Sequence, residues 1–561
     1  LKAKSKLEPE DAIKRTENVF GYALLGIALV VFFTQLRSLF YFPVFDSYLW
    51  WGDESWLMLE FREQMAHGLL RHPLALGSTL NASNGLLLSN MWITAILYGL
   101  PQLVFAHVHD PIFIGRIVTG LLDVALISST FYILRKRRVS SILTSLSIVL
   151  LITSRTFLLT SHSARYDILT ALSLLWIFHM LIAKIDSFKS EEGISPFTAY
   201  LLGFAFPITA LVSAHLLLLT AALFLYAAIK LGVFRRFSTI ALFVLGGATV
   251  GFAFVAVYWI LTGSLVLFNS TNGQGFQLTL REMPILRPFS RSVQIANLVQ
   301  RWRQVTFFAP FVLASGVIVF TAWLSGRLRQ RTSARKSRLL TMTIVLLLLL
   351  FSWLFFESSA PTSYLIYIVP IAILASACVM QRMLNSVVVQ NNLRVPALFL
   401  TFILGVAVSV LGYREVSNAA TKSLAWSSAN ADACAQMYSA IVKDANAKGI
   451  YSPLVVIFNP AIDRFQEFDD VREMTTHFIE YPATSDAPDS VLRKFRVSYI
   501  LMYRSALRPL YMREVQPLEE IVAKRGTLIA KAHGEFTDIG RSYFEDDLRH
   551  ADDTLVVYRL K

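Results

Sequence analysis

The chain has 561 residues, of which 55% are hydrophobic and only 16% charged, against about 25% charged in ordinary soluble domains. The formal net charge is +14, but the first 413 residues carry 33 basic and 17 acidic side chains and the remainder 19 and 21. That distribution excludes a soluble enzyme and argues against a nucleic-acid partner, because basic clusters between apolar runs follow from the positive-inside rule.

Leu1–Thr16 is charged and lacks a cleavable signal pattern, so the run 20–42 is expected to be an uncleaved first span. The segment that follows reads Phe45-Asp-Ser-Tyr-Leu-Trp-Trp-Gly-Asp-Glu-Ser-Trp56. An acidic pair, Asp53-Glu54, ringed by tryptophans at a bilayer boundary is costly unless it has a task. Ser55–Arg71 then has the spacing of an amphipathic surface helix, with Asp53 placed to cap it. Capping explains one of the two acids and does not need both.

Further apolar runs cover 86–107, 111–134, 139–160, 167–184, 197–212, 215–233, 237–262, 305–325, 339–356, 364–383 and 395–413. The run 86–107 is interrupted by Asn90, Gly99 and Pro101. If it crosses the bilayer, Arg135–Arg138 and the six basic residues of Arg327–Arg338 fall outside. If it lies in the interface, those clusters, with Lys184, Lys230, Arg235, Arg236, Arg382 and Arg394, share the cytoplasmic side. The second arrangement is the expected one. It has 11 spans, a cytoplasmic N-terminus, an outer-face first loop over 43–110 and an outer-face tail. Residues 1–413 are thus read as a polytopic α-helical membrane domain, and 414–561 as a soluble α/β domain. In the latter, Leu454–Phe458, Val497–Met502 and Leu555–Tyr558 read as strands, and Ala433–Ala447, Val491–Arg496 and Leu518–Arg525 as helices. Cys378 and Cys434 offer no disulfide or metal spacing. His107, His109 and Asp110 lack a fourth ligand.

The order of these landmarks carries a resemblance. An outer Asp53-Glu54 pair before an amphipathic helix, followed by Ser161-His-Ser-Ala-Arg-Tyr-Asp167 opening a span, resembles the GT-C superfamily of polytopic glycosyltransferases. The pattern over about 20–380 is similar to the branch holding protein O-mannosyltransferases and lipid A aminoarabinose transferases, whose bacterial members often have a periplasmic α/β tail. The resemblance implies a multi-pass enzyme of the bacterial inner membrane, with the tail periplasmic. It would draw a sugar from a polyprenyl-phosphate donor, with a glycolipid, glycan or protein as acceptor and membrane lipids as surroundings. By position Asp53 resembles the family's catalytic base, with Glu54 assisting. Asp167 matches the second acidic landmark, and capping a helix while paired with Arg165 is its equally weighted alternative. Arg165, His215, Arg281 and Arg287 are candidates for the leaving phosphate, because such a group needs cations or N–H donors. Tyr364 and Tyr367 match tyrosines that face the donor in relatives, or form an interfacial aromatic belt. No metal is firmly implied; some superfamily members use a divalent cation, and those closest in pattern generally do not. A lipid or sugar transporter, suggested by Arg116 and Asp123, and a non-catalytic membrane subunit are the alternatives.

Overall fold

The computed structural model describes residues 9–39, 58, 92–105, 111–161, 164–187, 194–212, 214–262, isolated positions between 302 and 317, 362–387, 394–451, 453–457, 472–475, 489, 492–493, 496–504, 512–534 and 553–561. The first described part is helical: α1 (Pro9–Leu39), α2 (Trp92–Val104), α3 (Pro111–Lys136), α4 (Ser141–Ile152), α5 (Arg155–Thr160), α6 (Asp167–Ser187), α7 (Pro196–Ile208), α8 (Ala214–Lys230), α9 (Phe237–Thr262), α10 (Val369–Val387) and α11 (Arg394–Lys448). Among the described residues, five stretches are long and apolar enough to cross a membrane: Lys14–Leu36, Phe113–Lys136, Asp167–Ile185, Leu365–Arg382 and Leu398–Glu415. The chain is a helical membrane protein in this region.

Contacts between helices fix their directions. At one end Ser141 Oγ donates to Asn18 Oδ1 at 2.6 Å, and the Ser140 N–H donates to Gln381 Oε1 at 2.8 Å. At the other end Gln35 Nε2 donates to the Ile152 carbonyl at 2.8 Å, and Arg155 Nη2 pairs with Glu415 Oε1 at 2.8 Å. So α1, α4 and α11 run one way and α10 runs back. One end of the bundle collects Arg135–Arg138, Lys184 and Arg382; the other collects Asp167, Arg155 and Glu415.

Small residues let these helices approach closely. A Cβ on Gly203 of α7 would overlap the Phe243 carbonyl of α9, and one on Gly246 would overlap the Tyr200 carbonyl of α7. Without a hydrophobic drive between helices in lipid, such close van der Waals contact is what associates them. One sequence boundary shifts. The run 139–160 breaks at Thr153-Ser154, where the Ser154 side chain accepts the Phe157 N–H and starts α5. Within the run 86–107 the described helix covers Trp92–Val104. It is tucked into the bundle, with Ala95 and Tyr98 fully buried.

Helix α11 has 55 residues, about 83 Å, and joins the bundle to a sheet without interruption. It ends at Gly449, whose φ of 65° is left-handed, while the Ile450 N–H closes back on the Ala445 carbonyl. The sheet contains β1 (Leu454–Ile457), β2 (Arg472–Thr475), β3 (Tyr499–Arg504), β4 (Gly526–Gly534) and β5 (Asp553–Leu560), with α12 (Met512–Arg525) before β4. Its order is β2-β1-β3-β5-β4, parallel across β2-β1-β3 and antiparallel across β3-β5-β4. Met437 and Ile441 of α11, Leu518 of α12 and the inner faces of β1, β3 and β5 form a second core, separate from that of the bundle. Asp444 fastens the helix to the sheet, accepting from Tyr499 Oη at 2.9 Å and from Arg559 Nη1 at 2.6 Å.

Candidate functional site

Asp167 is the first residue of α6 and is 1% exposed. Its Oδ2 lies 3.0 Å from Arg165 Nε, and its Oδ1 accepts from Tyr367 Oη at 2.5 Å. Tyr367 belongs to a 3-10 turn, Thr362–Tyr367, that leads into α10, so the carboxylate ties two distant segments together. Arg165 is also buried, stacks over the Tyr166 ring at 5.6 Å, and offers its backbone carbonyl to Tyr98 Oη at 2.5 Å. The pairing with Arg165 is the alternative that the sequence holds open for Asp167. Tyr367 is no belt residue, since it is 1% exposed.

Helix α2 braces this cluster. Tyr98 Oη also shares a hydrogen bond with Thr119 Oγ1 of α3 at 3.0 Å. One turn earlier, Thr94 Oγ1 donates to the Val212 carbonyl at 2.7 Å. Val212 lies two residues before α8, whose second residue is His215. One turn later Gln102 Nε2 donates to the Tyr98 carbonyl at 3.0 Å and approaches Met58 Sδ at 3.5 Å.

Met58 brings the first loop to the site. It is helical and 0% exposed. A Cβ on Gly115 of α3 would overlap its sulfur and would come within 2.7 Å of the Ala164 methyl. Only glycine leaves room for Met58 there, and Ala164 is the residue before Arg165.

Asp53, Glu54, Arg281 and Arg287 lie outside the described residues, as do the side chains of His215 and Tyr364. Among the described residues no group of three or more His, Cys, Asp or Glu side chains is placed to hold a metal ion. The structure adds Thr94, Tyr98, Gln102, Thr119, Met58 and Gly115 to the site. For three residues there was a readable signal: Thr94, Tyr98 and Gln102 recur every fourth residue in the run 86–107 and are all buried, which marks one polar face turned inward.

No protein-family model matches the chain, and no curated protein does. Among solved structures, ArnT from Cupriavidus metallidurans bound to undecaprenyl phosphate is similar over 96% of this chain and 97% of its own, at 12% identity and a TM-score of 0.47. The same protein in the apo state is similar over 96% and 97%, at 14% identity and a TM-score of 0.43.

Proposed function

We propose that the chain is a membrane glycosyltransferase, moving a sugar from a polyprenyl-phosphate donor to a hydroxyl acceptor on the outer face of the membrane, with inversion. The acceptor oxygen attacks the anomeric carbon, the bond from that carbon to the phosphate oxygen breaks, and the lipid phosphate leaves. The acceptor proton goes to a carboxylate acting as general base.

The observation that carries this reading is the seat of Met58 against Gly115 and Ala164. Asp53 precedes Met58 by five positions, at most about 18 Å of extended chain, so the acidic pair is within reach of the Arg165–Asp167–Tyr367 cluster. Both Asp167 oxygens are already engaged, one held by Tyr367 and the other facing Arg165. We therefore assign the proton acceptor to Asp53 and support of the acceptor to Glu54. Asp167 and Tyr367 position Arg165 on the donor side. His215, Arg281, Arg287 and Tyr364 are assigned to the leaving phosphate and its sugar.

Loss of this chain should then remove one sugar from an envelope glycolipid, glycan or protein, read by mass spectrometry of cells with and without it. Identical envelopes would contradict the proposal. One observation favours transport instead: Asp123, in the middle of α3, is 0% exposed and neither oxygen has a hydrogen-bond partner among the described residues. A transporter would lose its flux in Asp123→Asn, whereas glycosyl transfer should continue.

A further inference from the structure

A cleft of about 360 Å³ opens between the last turns of α3 and α6, lined by Lys136, Trp176, His179, Met180, Ala183 and Lys184. It lies at the basic end of the bundle, far from Asp167. Met180 of its lining is 57% exposed, and Tyr132, which packs on Trp176, is 49% exposed, on helices apolar enough to span a membrane. Lys136 and Lys184 are exposed and stand in the last turns of their helices. The Lys136 ammonium lies 5.5 Å over the Tyr132 ring, and that ring stacks on Trp176 at 6.1 Å.

The floor of the cleft is built. Trp176 Nε1 donates to Ser129 Oγ at 3.0 Å, which fixes the indole. His179 is 5% exposed, with Nδ1 3.4 Å from Arg137 Nη2. A guanidinium has no acceptor, so Nδ1 must accept and the ring proton sits on Nε2 as a donor. Two ammonium groups, an imidazole N–H donor and an apolar aromatic wall open to lipid suit a phosphodiester whose acyl chains stay in the bilayer. A free phosphate would leave the wall of Trp176, Met180 and Ala183 unused. Lysines at helix ends commonly snorkel to headgroups, but a basic cleft between two helices adds a shape that a single headgroup fills.

We propose that this cleft holds the headgroup of an anionic phospholipid from the leaflet at the basic end. The test is native mass spectrometry of the full chain, purified in detergent and offered dioleoyl-phosphatidylglycerol or dioleoyl-phosphatidylcholine. The wild type should retain phosphatidylglycerol selectively. Lys136→Gln with Lys184→Gln should lower that affinity about 30-fold, taking about tenfold per 1.4 kcal/mol and about 1 kcal/mol per lysine near a charged surface. Ala183→Trp, which fills the cleft without changing charge, should lower it too. Arg235→Gln with Arg236→Gln, an equal charge loss on the neighbouring turn before α9, should leave it unchanged. Equal losses in both charge pairs would reduce the effect to diffuse attraction and overturn the proposal. Displacement of the lipid by millimolar inorganic phosphate would also overturn it, because the cleft would then be a free-anion site.

Discussion

Asp167 and Arg165 are 1% and 2% exposed and face one another at 3.0 Å. Taking one charge from such a buried pair leaves the other unpaired, which costs about 3–5 kcal/mol. Asp167→Asn should therefore lower thermal stability by that order in detergent, measured by scanning fluorimetry. The paired change Asp167→Leu with Arg165→Met should recover most of the loss, because a buried ion pair contributes little over apolar side chains of similar volume. Tyr367→Phe should cost less, about 1.5–3 kcal/mol for one hydrogen bond to a charged group. An unchanged unfolding temperature in Asp167→Asn would show that the pair is not closed. The sequence carries the two charges legibly, because they stand two residues apart at the start of an apolar run. Tyr367 is 200 residues away, and no local spacing links it to Asp167. Nor does local spacing reveal that Gly115 is there to seat Met58.

At the scale of elements, apolar run length made most bundle helices readable, and α9 keeps the predicted limits 237–262. The divided passage of α4 and α5 was not readable, because Thr153 and Ser154 are compatible with an apolar helix and only the Ser154 cap shows the break. In the tail, strands β1, β3 and β5 are runs of Val, Ile, Leu and Tyr, as their sequences suggest. Strand β4 was missed because Ala530, Lys531, Ala532 and His533 lack β-branched residues and Ile529 falls at a register shift. It is tertiary pairing with β5 that makes it a strand. Close helix packing yields a direct test. Gly203→Val would drive a side chain into the Phe243 carbonyl, an overpacking expected to cost about 1–3 kcal/mol or more. Gly26, where nothing lies within 4 Å of a new Cβ, should accept alanine with no loss. Equal behaviour of the two variants in thermal unfolding would contradict the packing of α7 on α9.

The whole molecule sorts its polar residues by end. Arg135–Arg138, Lys184 and Arg382 stand at one end, and the Arg165–Asp167–Tyr367 cluster, the seat of Met58 and the exit of α11 at the other. Charge asymmetry in the sequence anticipates this sorting, whereas the unbroken course of α11 through 414–432 does not show, since that stretch has no apolar stripe to mark it as helical. Asp444 anchors that helix on the sheet. Burial foremost, and then the hydrogen bond and charge of Asp444, push the Tyr499 hydroxyl well above its usual value, with Arg559 opposing. A tyrosine whose folded pKa is raised favours the folded state fully below its unfolded value of about 10. That contribution is lost as pH rises further. The tail should become more susceptible to limited proteolysis above about pH 10, and Tyr499→Phe should flatten that alkaline dependence. A tail equally resistant at all alkaline pH values would contradict the anchoring.

The central claim is that a carboxylate of the first loop takes the proton of the acceptor at the end of the bundle where Asp167 lies. Its most direct measurement is release of polyprenyl phosphate from a sugar-charged lipid donor by the full chain in proteoliposomes, supplied with envelope acceptor. Asp53→Asn should fold and insert like the wild type and lose about 10²–10⁴-fold in rate, with Glu54→Gln losing less. Transfer by Asp53→Asn at the wild-type rate would contradict the account.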